Sequence, residues 1–109
     1  MRPLFHPQIE DVRLEAILHA LSDPARAALF TQIAAADRAQ TCTALAGGAG
    51  QAIPKSTLSQ HFKVLREAGL IRSERQGVEM RNTARCAEID ARFPGLLPAI
   101  LEAHKRQAS

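Results

Sequence analysis

Ile53-Pro-Lys-Ser-Thr-Leu-Ser-Gln-His-Phe-Lys-Val-Leu-Arg-Glu-Ala-Gly-Leu-Ile-Arg-Ser-Glu-Arg-Gln-Gly-Val-Glu-Met-Arg-Asn-Thr-Ala-Arg85 is the stretch on which the fold turns. Its first half has helical spacing. Pro54 can open a helix over about 54–68, because a first-turn residue needs no N–H for the helix ladder. Leu58, Phe62 and Leu65 recur at the i, i+4, i+7 interval of one buried face. Gly69 lies one step beyond, where a helix commonly ends on a glycine. Ser56, Ser59, Gln60, Lys63 and Glu67 fall roughly opposite. The second half alternates around Gly77, giving strands over about 70–76 and 78–83. Gly77 can supply the positive φ of a tight hairpin turn. A polar-faced helix running directly into a charged hairpin is the layout of a DNA-reading helix followed by a β-wing.

Upstream, Ile9, Val12, Ala16, Ile17, Leu18 and Leu21 predict a helix over about 9–21 with one broad apolar face. Asp23-Pro24 restarts the chain, Asp23 as the N-cap and Pro24 at the first helical position. That second helix reaches about residue 36, with Leu29, Phe30 and Ile33 as its core face. A short third helix is expected over 41–46, ended by Gly47-Gly48-Ala49-Gly50. Asp90 to Gly95 reads as a break. Leu96, Leu97, Ile100, Leu101 and His104 then form the stripe of a last helix over about 95–106. The expected fold is mainly α (α+β): a winged helix-turn-helix of about five helices with a two-stranded wing, in one domain over 1–109.

Bulk properties narrow the function. The chain has 109 residues, 46% of them apolar, enough for one domain with its own core. Four Phe with no Tyr or Trp leave little for an aromatic platform that stacks single-stranded bases. The net charge is +3, but Lys55 to Arg85 holds seven basic residues against three acids, a local +4. The remainder is therefore slightly acidic. A localised basic patch points to a polyanion. The start of the chain lacks the apolar run of a signal peptide, no window approaches a membrane span, and two cysteines make no disulfide framework. A cytoplasmic protein with no membrane partner is the expectation.

The helix and hairpin supply the candidate contacts to double-stranded DNA. Lys55, Ser56, Thr57, Ser59, Gln60, His61 and Lys63 can reach base edges or phosphates from the helix. Arg72, Arg75, Gln76 and Arg81 can reach phosphates or the minor groove from the hairpin. The competing reading is a winged-helix protein-interaction module without DNA binding. Such a module would present exposed apolar residues on this face, where the sequence has Ser, Gln and Lys. No nucleophile elbow, phosphate loop or carboxylate pair suggests an enzyme, and no cofactor is implied. Ser59 and His61 lie about 200° apart around one helix, too far for concerted chemistry.

Three pieces of the chain resemble the ArsR/SmtB family of bacterial winged-helix repressors. They are Leu18-His-Ala-Leu-Ser-Asp-Pro-Ala-Arg26, Ser56 to Ile71, and Arg75-Gln-Gly-Val-Glu-Met-Arg81. The likeness runs from about Ile9 to Leu101. It implies a homodimer paired through the first and last helices, bound to an operator and released by a signal. Ile9, Val12 and Ile17 on the first helix, with Leu96, Leu97, Ile100 and Leu101 on the last, are the residues expected at that interface. The chain departs from the family pattern between Ala46 and Ile53, which is Gly-rich and longer than usual. That predicts a looser loop ahead of Lys55 and Ser56.

The inducing signal is not named by the residues. Many relatives hold a metal through a Cys-x-Cys pair on the third helix; here Thr41-Cys42-Thr43 offers one thiolate. Glu102 and His104, two apart, sit on different helix faces. No metal site is expected. Cys42 and Cys86 could instead form a thiol switch, Cys86 beside Arg85 and Cys42 at a helix start; the bland reading is that both are packed and inert. His6 and His104 read as surface residues and His19 as a core-edge one.

Overall fold

The computed structural model describes residues 4–35, 40–41 and 53–108. Five α-helices are present among them: α1 (Leu14–Ala20), α2 (Pro24–Ala35), α3 (Lys55–Glu67), α4 (Cys86–Arg92) and α5 (Leu96–Ala108). With them go strands β1 (Gln40–Thr41), β2 (Ile71–Gln76) and β3 (Glu79–Ala84), in the antiparallel order β1-β3-β2. This is a winged helix, with one strand more than the expected two-stranded wing. The expected helix over 41–46 and the glycine-rich loop after it lie outside the described residues, apart from Thr41, which is β.

Two other boundaries differ from expectation. The first helix does not run unbroken from Ile9. A 3-10 turn covers Ile9–Asp11, Val12 and Arg13 are extended, and only then does α1 begin. The break lets the Val12 side chain bury fully while its carbonyl accepts from Arg92 Nε at 2.9 Å. At the other end, Asp90 to Arg92 are helical rather than a break, so α4 is an element the periodicity did not reveal. The chain turns instead at Phe93-Pro94-Gly95, with Gly95 at φ +80°.

The core sits where α1, α2 and α3 meet the root of the wing. Ile17, Phe30, Leu65, Leu70, Ile71 and Ile89 are each fully buried there. Burying a side chain of this size is worth roughly 1.5–3 kcal/mol relative to leaving it exposed. Polar ties fix the helix ends. Asp23 Oδ1 accepts from the N–H groups of Ala25 (2.8 Å) and Arg26 (3.1 Å), the expected N-cap of α2. Arg26, itself buried, reaches back to donate to the carbonyls of Ala20 (2.6 Å) and His19 (3.3 Å) at the end of α1. There a guanidinium meets both the orphan carbonyls and the negative pole of that helix. His104 of α5 bonds the Leu21 carbonyl at 2.6 Å, so it is half-buried and structural, not the surface residue expected. His19 is exposed rather than at the core edge.

Candidate nucleic-acid interface

Helix α3 places the candidate base-reading face. Leu58, Phe62 and Leu65 are buried, as their spacing requires, and the helix closes on Gly69 at φ +86°. The N–H of Gly69 donates to the Arg66 carbonyl (3.1 Å) and that of Leu70 to the Leu65 carbonyl (3.0 Å). This paired arrangement is a Schellman motif, which needs the left-handed backbone a glycine adopts without penalty. It turns the chain sharply and sends it into β2. Gly69 is also pressed on the core: a Cβ there would collide with Cγ2 of Val12.

On the outer face Lys55, Ser56, Thr57, Ser59, Gln60 and Lys63 are all exposed. His61 is not. It stands at i+3 from Leu58 on the inner face and is only 7% exposed, with Nδ1 unpartnered among the described residues. Its position next to Phe62 in the apolar stripe was readable from the same spacing that placed Leu58 and Leu65. The expectation that it faces DNA is corrected: His61 is close enough to Asp23 to help hold that carboxylate in its charged form. Asp23 itself titrates below the ordinary Asp range, chiefly because the Arg26 backbone N–H bonds its charged form.

The wing is a two-residue hairpin, since Gln76 pairs with Glu79 across Gly77 and Val78. Gly77 has φ +65°, while Val78 keeps negative φ; glycine first with positive φ is the type II′ pattern that matches strand twist. Arg72, Arg75 and Gln76 are exposed, and Val78 at the tip is 97% exposed. Arg81 is half-buried, paired through Nη2 with Glu79 at 3.1 Å, and its Nε has no partner among the described residues. Its charge is therefore offset locally, unlike that of Arg75.

The root of the wing is polar inside. Ser73 and Asn82 face each other in register, both buried, with Ser73 Oγ donating to Asn82 Oδ1 at 2.7 Å. Arg66 of α3 joins them, Nη1 to Ser73 Oγ at 3.4 Å. Helix and wing thus share hydrogen-bonded side chains. In the sequence Arg66 and Arg85 stand out only by charge, Arg85 also by its place beside Cys86. Arg85 is buried; it pairs with Glu88 and donates from Nη1 to the Pro7 carbonyl at 2.8 Å. Glu88 is accordingly held below its ordinary carboxyl range by the hydrogen bond from Arg85. His6, expected at the surface, accepts the Ser73 N–H at Nε2 (3.0 Å).

The expected sensing and pairing residues fare differently. Cys42 lies outside the described residues. Cys86 is half-buried at the first position of α4, and burial pushes its thiol up, away from the thiolate that reacts with oxidants. The adjacent guanidinium of Arg85 is directed to Glu88 and Pro7. Among the expected dimer residues, Val12, Ile17 and Leu97 are buried within the single chain and cannot also face a partner. Ile9, Leu96, Ile100 and Leu101 are only partly buried, and Leu14 and Leu18 lie exposed on α1. Among the described residues no group of three or more His, Cys, Asp or Glu could hold a metal ion, and no helix is long and apolar enough to cross a membrane.

Residues 21–74 match a helix-turn-helix domain family. The chain is similar to a solved structure described as an ArsR-like transcriptional regulator from Rhodococcus sp. RHA1. Identity is 27%, coverage is 87% of this chain and 86% of that one, and the TM-score is 0.63. A second solved structure, described as an ArsR family transcriptional regulator, shares the fold at TM-score 0.62 and 21% identity, over 96% of this chain and 98% of its own. No curated protein sequence matches the chain at a significant level.

Proposed function

We propose that this chain, similar in fold to ArsR-like transcriptional regulators and matching a helix-turn-helix domain family, is a winged helix-turn-helix regulator of that kind, a homodimeric repressor that holds an operator and lets go of it on a signal. The observation that carries the DNA half of this reading is the two-faced α3. Its inner face is anchored by Leu58, Phe62 and Leu65, while Ser56, Thr57, Ser59, Gln60 and Lys63 stand clear of the protein. Short hydroxyls, an amide and an ammonium are the groups that read base edges and phosphates in a major groove. Arg72, Arg75 and Gln76 stand free on the wing beside it to hold the backbone. The outer face of α3 itself carries no exposed large apolar side chain on which a protein partner would anchor.

The dimer half is supported by apolar surface that the chain itself leaves uncovered. Leu14 and Leu18, four apart on α1, are 39% and 46% exposed. Leu101 and Pro98 of α5, with Ala27 and Ala28 of α2, line an open cleft of about 460 Å³. A second copy would cover these faces, with Ile100 and Leu101 in place of the buried Leu97 that the sequence suggested. Two copies would also present two α3 helices to successive major grooves, as the symmetry of an operator demands.

The test is a mass measurement by sedimentation, paired with footprinting of the promoter next to the protein's own coding region. A dimer protecting two half-sites about one helical turn apart is the expected result. A monomer at micromolar concentration, or a protein with no preference among DNA sequences, refutes the reading.

A further inference from the structure

We propose that His6 is a proton-operated latch on the wing: in its neutral form Nε2 accepts the Ser73 N–H and straps the N-terminal segment to β2, and protonation at Nε2 releases that strap. The inference goes beyond the DNA-binding reading, and only its consequence for affinity rests on that reading.

The geometry begins with strand pairing. In a two-residue hairpin, opposed residues alternate between pairs that exchange N–H···O=C bonds and pairs whose N–H groups point outward. Counting from Gln76↔Glu79, the pair Ser73↔Asn82 is of the outward kind. The Ser73 N–H therefore projects from the free edge of β2, which is the outer strand of the sheet. It is met there by an imidazole nitrogen at 3.0 Å, 67 residues away in sequence.

That nitrogen can accept only while it carries no proton. The Leu4 backbone beside the ring slightly favours its protonated form. With Nε2 accepting from Ser73, the neutral ring carries its single proton on Nδ1. A second proton, on Nε2, would set two N–H groups against each other. The neighbouring segment is tied down separately, since Arg85 donates to the carbonyl of Pro7. Release at His6 would therefore act at the β2 edge, while Pro7 remains tethered.

The surroundings set the sense of the switch. His6 lines a polar cavity of about 380 Å³ with Arg72 of β2, Arg85 and Glu88 at the head of α4, and Glu10 of the 3-10 turn. Arg66 of α3 also acts on the ring. Burial of the ring, then the positive charges of Arg72, Arg66 and Arg85, move its titration below the ordinary histidine value of 6.5. The latch is closed at neutral pH and opens as pH falls through that lowered value. Ser73 is the residue whose hydroxyl joins Asn82 and Arg66, so the group released by the proton sits at the junction of wing and α3.

The experiment follows the His6 ring and the Ser73 amide by NMR from about pH 8 to about pH 5, in the full chain and in His6→Gln. Glutamine can offer a carbonyl to the same N–H without titrating. In the wild type the Ser73 amide should move with the midpoint of His6, and its exchange protection should fall at least about tenfold as the ring protonates. In His6→Gln the amide should hold still. A Ser73 amide that does not follow His6, or that titrates equally in the variant, overturns the latch. The same samples are then titrated onto a random-sequence duplex. A new positive charge beside Arg72 would by itself tighten DNA binding, whereas a loosened wing weakens it. Wild type should lose at least about threefold in affinity relative to His6→Gln on acidification. A wild type that gains instead refutes the control of DNA binding by the latch. Failure of both proteins to bind DNA at neutral pH would refute the DNA-binding reading and leave the latch to stand or fall on the NMR.

Discussion

Replacing Gly69 by alanine tests two separate demands on one residue. The first is conformational: at φ +86° an L-residue pays roughly 1–2 kcal/mol for the left-handed region. The second is steric, because the new Cβ would run into Cγ2 of Val12. Val12 cannot easily retreat. Its side chain is 2% exposed and its carbonyl is held by Arg92. Overpacking of this kind typically costs another 1–3 kcal/mol. The expected loss is therefore about 2–5 kcal/mol, a large share of a typical domain stability of roughly 5–15 kcal/mol. Gly77 supplies the control: its φ is +65°, yet a Cβ there meets nothing within 4 Å. Gly77→Ala should cost only a conformational part, roughly 1–3 kcal/mol for a strained backbone position, with no steric share. Urea unfolding of both variants measures the difference, at unchanged m-value. Val12→Ala in the Gly69→Ala background should return about 1–3 kcal/mol beyond additivity, because it opens the space the methyl needs. If Gly69→Ala costs no more than Gly77→Ala, or the Val12 cycle shows no coupling, the close approach of the α3 exit to Val12 does not govern this turn.

Arg75→Ala should weaken binding to all DNA sequences alike and reduce the magnitude of the log–log salt slope by about 1, as expected for one lost phosphate contact. Gln60→Ala should instead relax sequence preference, at a cost of about 1–3 kcal/mol for a bidentate base contact; equal losses on specific and random duplexes would show that Gln60 reads no base. Asp23→Ala should destabilise by about 1 kcal/mol through the lost cap. Asp23 titrates below its ordinary 3.8 in the folded chain, so its contribution is complete above that pH and disappears as pH falls through the lowered value. Acid unfolding curves of wild type and Asp23→Ala should therefore converge at low pH. For Cys86, alkylation by iodoacetamide near neutral pH should be slower than for a free thiol, because burial disfavours the thiolate; faster labelling would reopen an oxidant role for this residue.

Periodicity located α2 and α3 nearly to the residue, and the reason is local. Asp23-Pro24 starts one and Gly69 ends the other, and caps of this kind need no tertiary context. The wing was legible for the same reason, through Gly77. Where the reading failed, the deciding interaction was distant in sequence. Val12 leaves its helix because it must fill the space under Gly69, and Arg92 secures that departure from 80 residues away. Arg85 adds to the local basic excess in the sequence, but Pro7 and Glu88 claim it. His61 differs in kind. Its spacing from Leu58 places it on the inner face of α3, and only its polarity suggests DNA. The buried Ser73–Asn82 pair left no periodic signal, since both residues also suit an exposed hairpin.

The way this small sheet is bordered has a consequence for how the protein survives at high concentration. A hairpin standing off a domain is a template onto which other chains can add strands, with aggregation as the outcome. Here β3 is flanked on its far side by Gln40 and Thr41, so one border is already occupied by the chain's own backbone. The opposite border, along β2, has its Ser73 N–H taken by the His6 ring, a group that cannot continue a ladder. Beyond that point the border carries Glu74 and Arg75, whose charges discourage docking by another copy. A projecting hairpin is thus kept from recruiting strands by a ring and two charges, and acid conditions that free Ser73 would uncover a stretch of the β2 border where a foreign strand could begin.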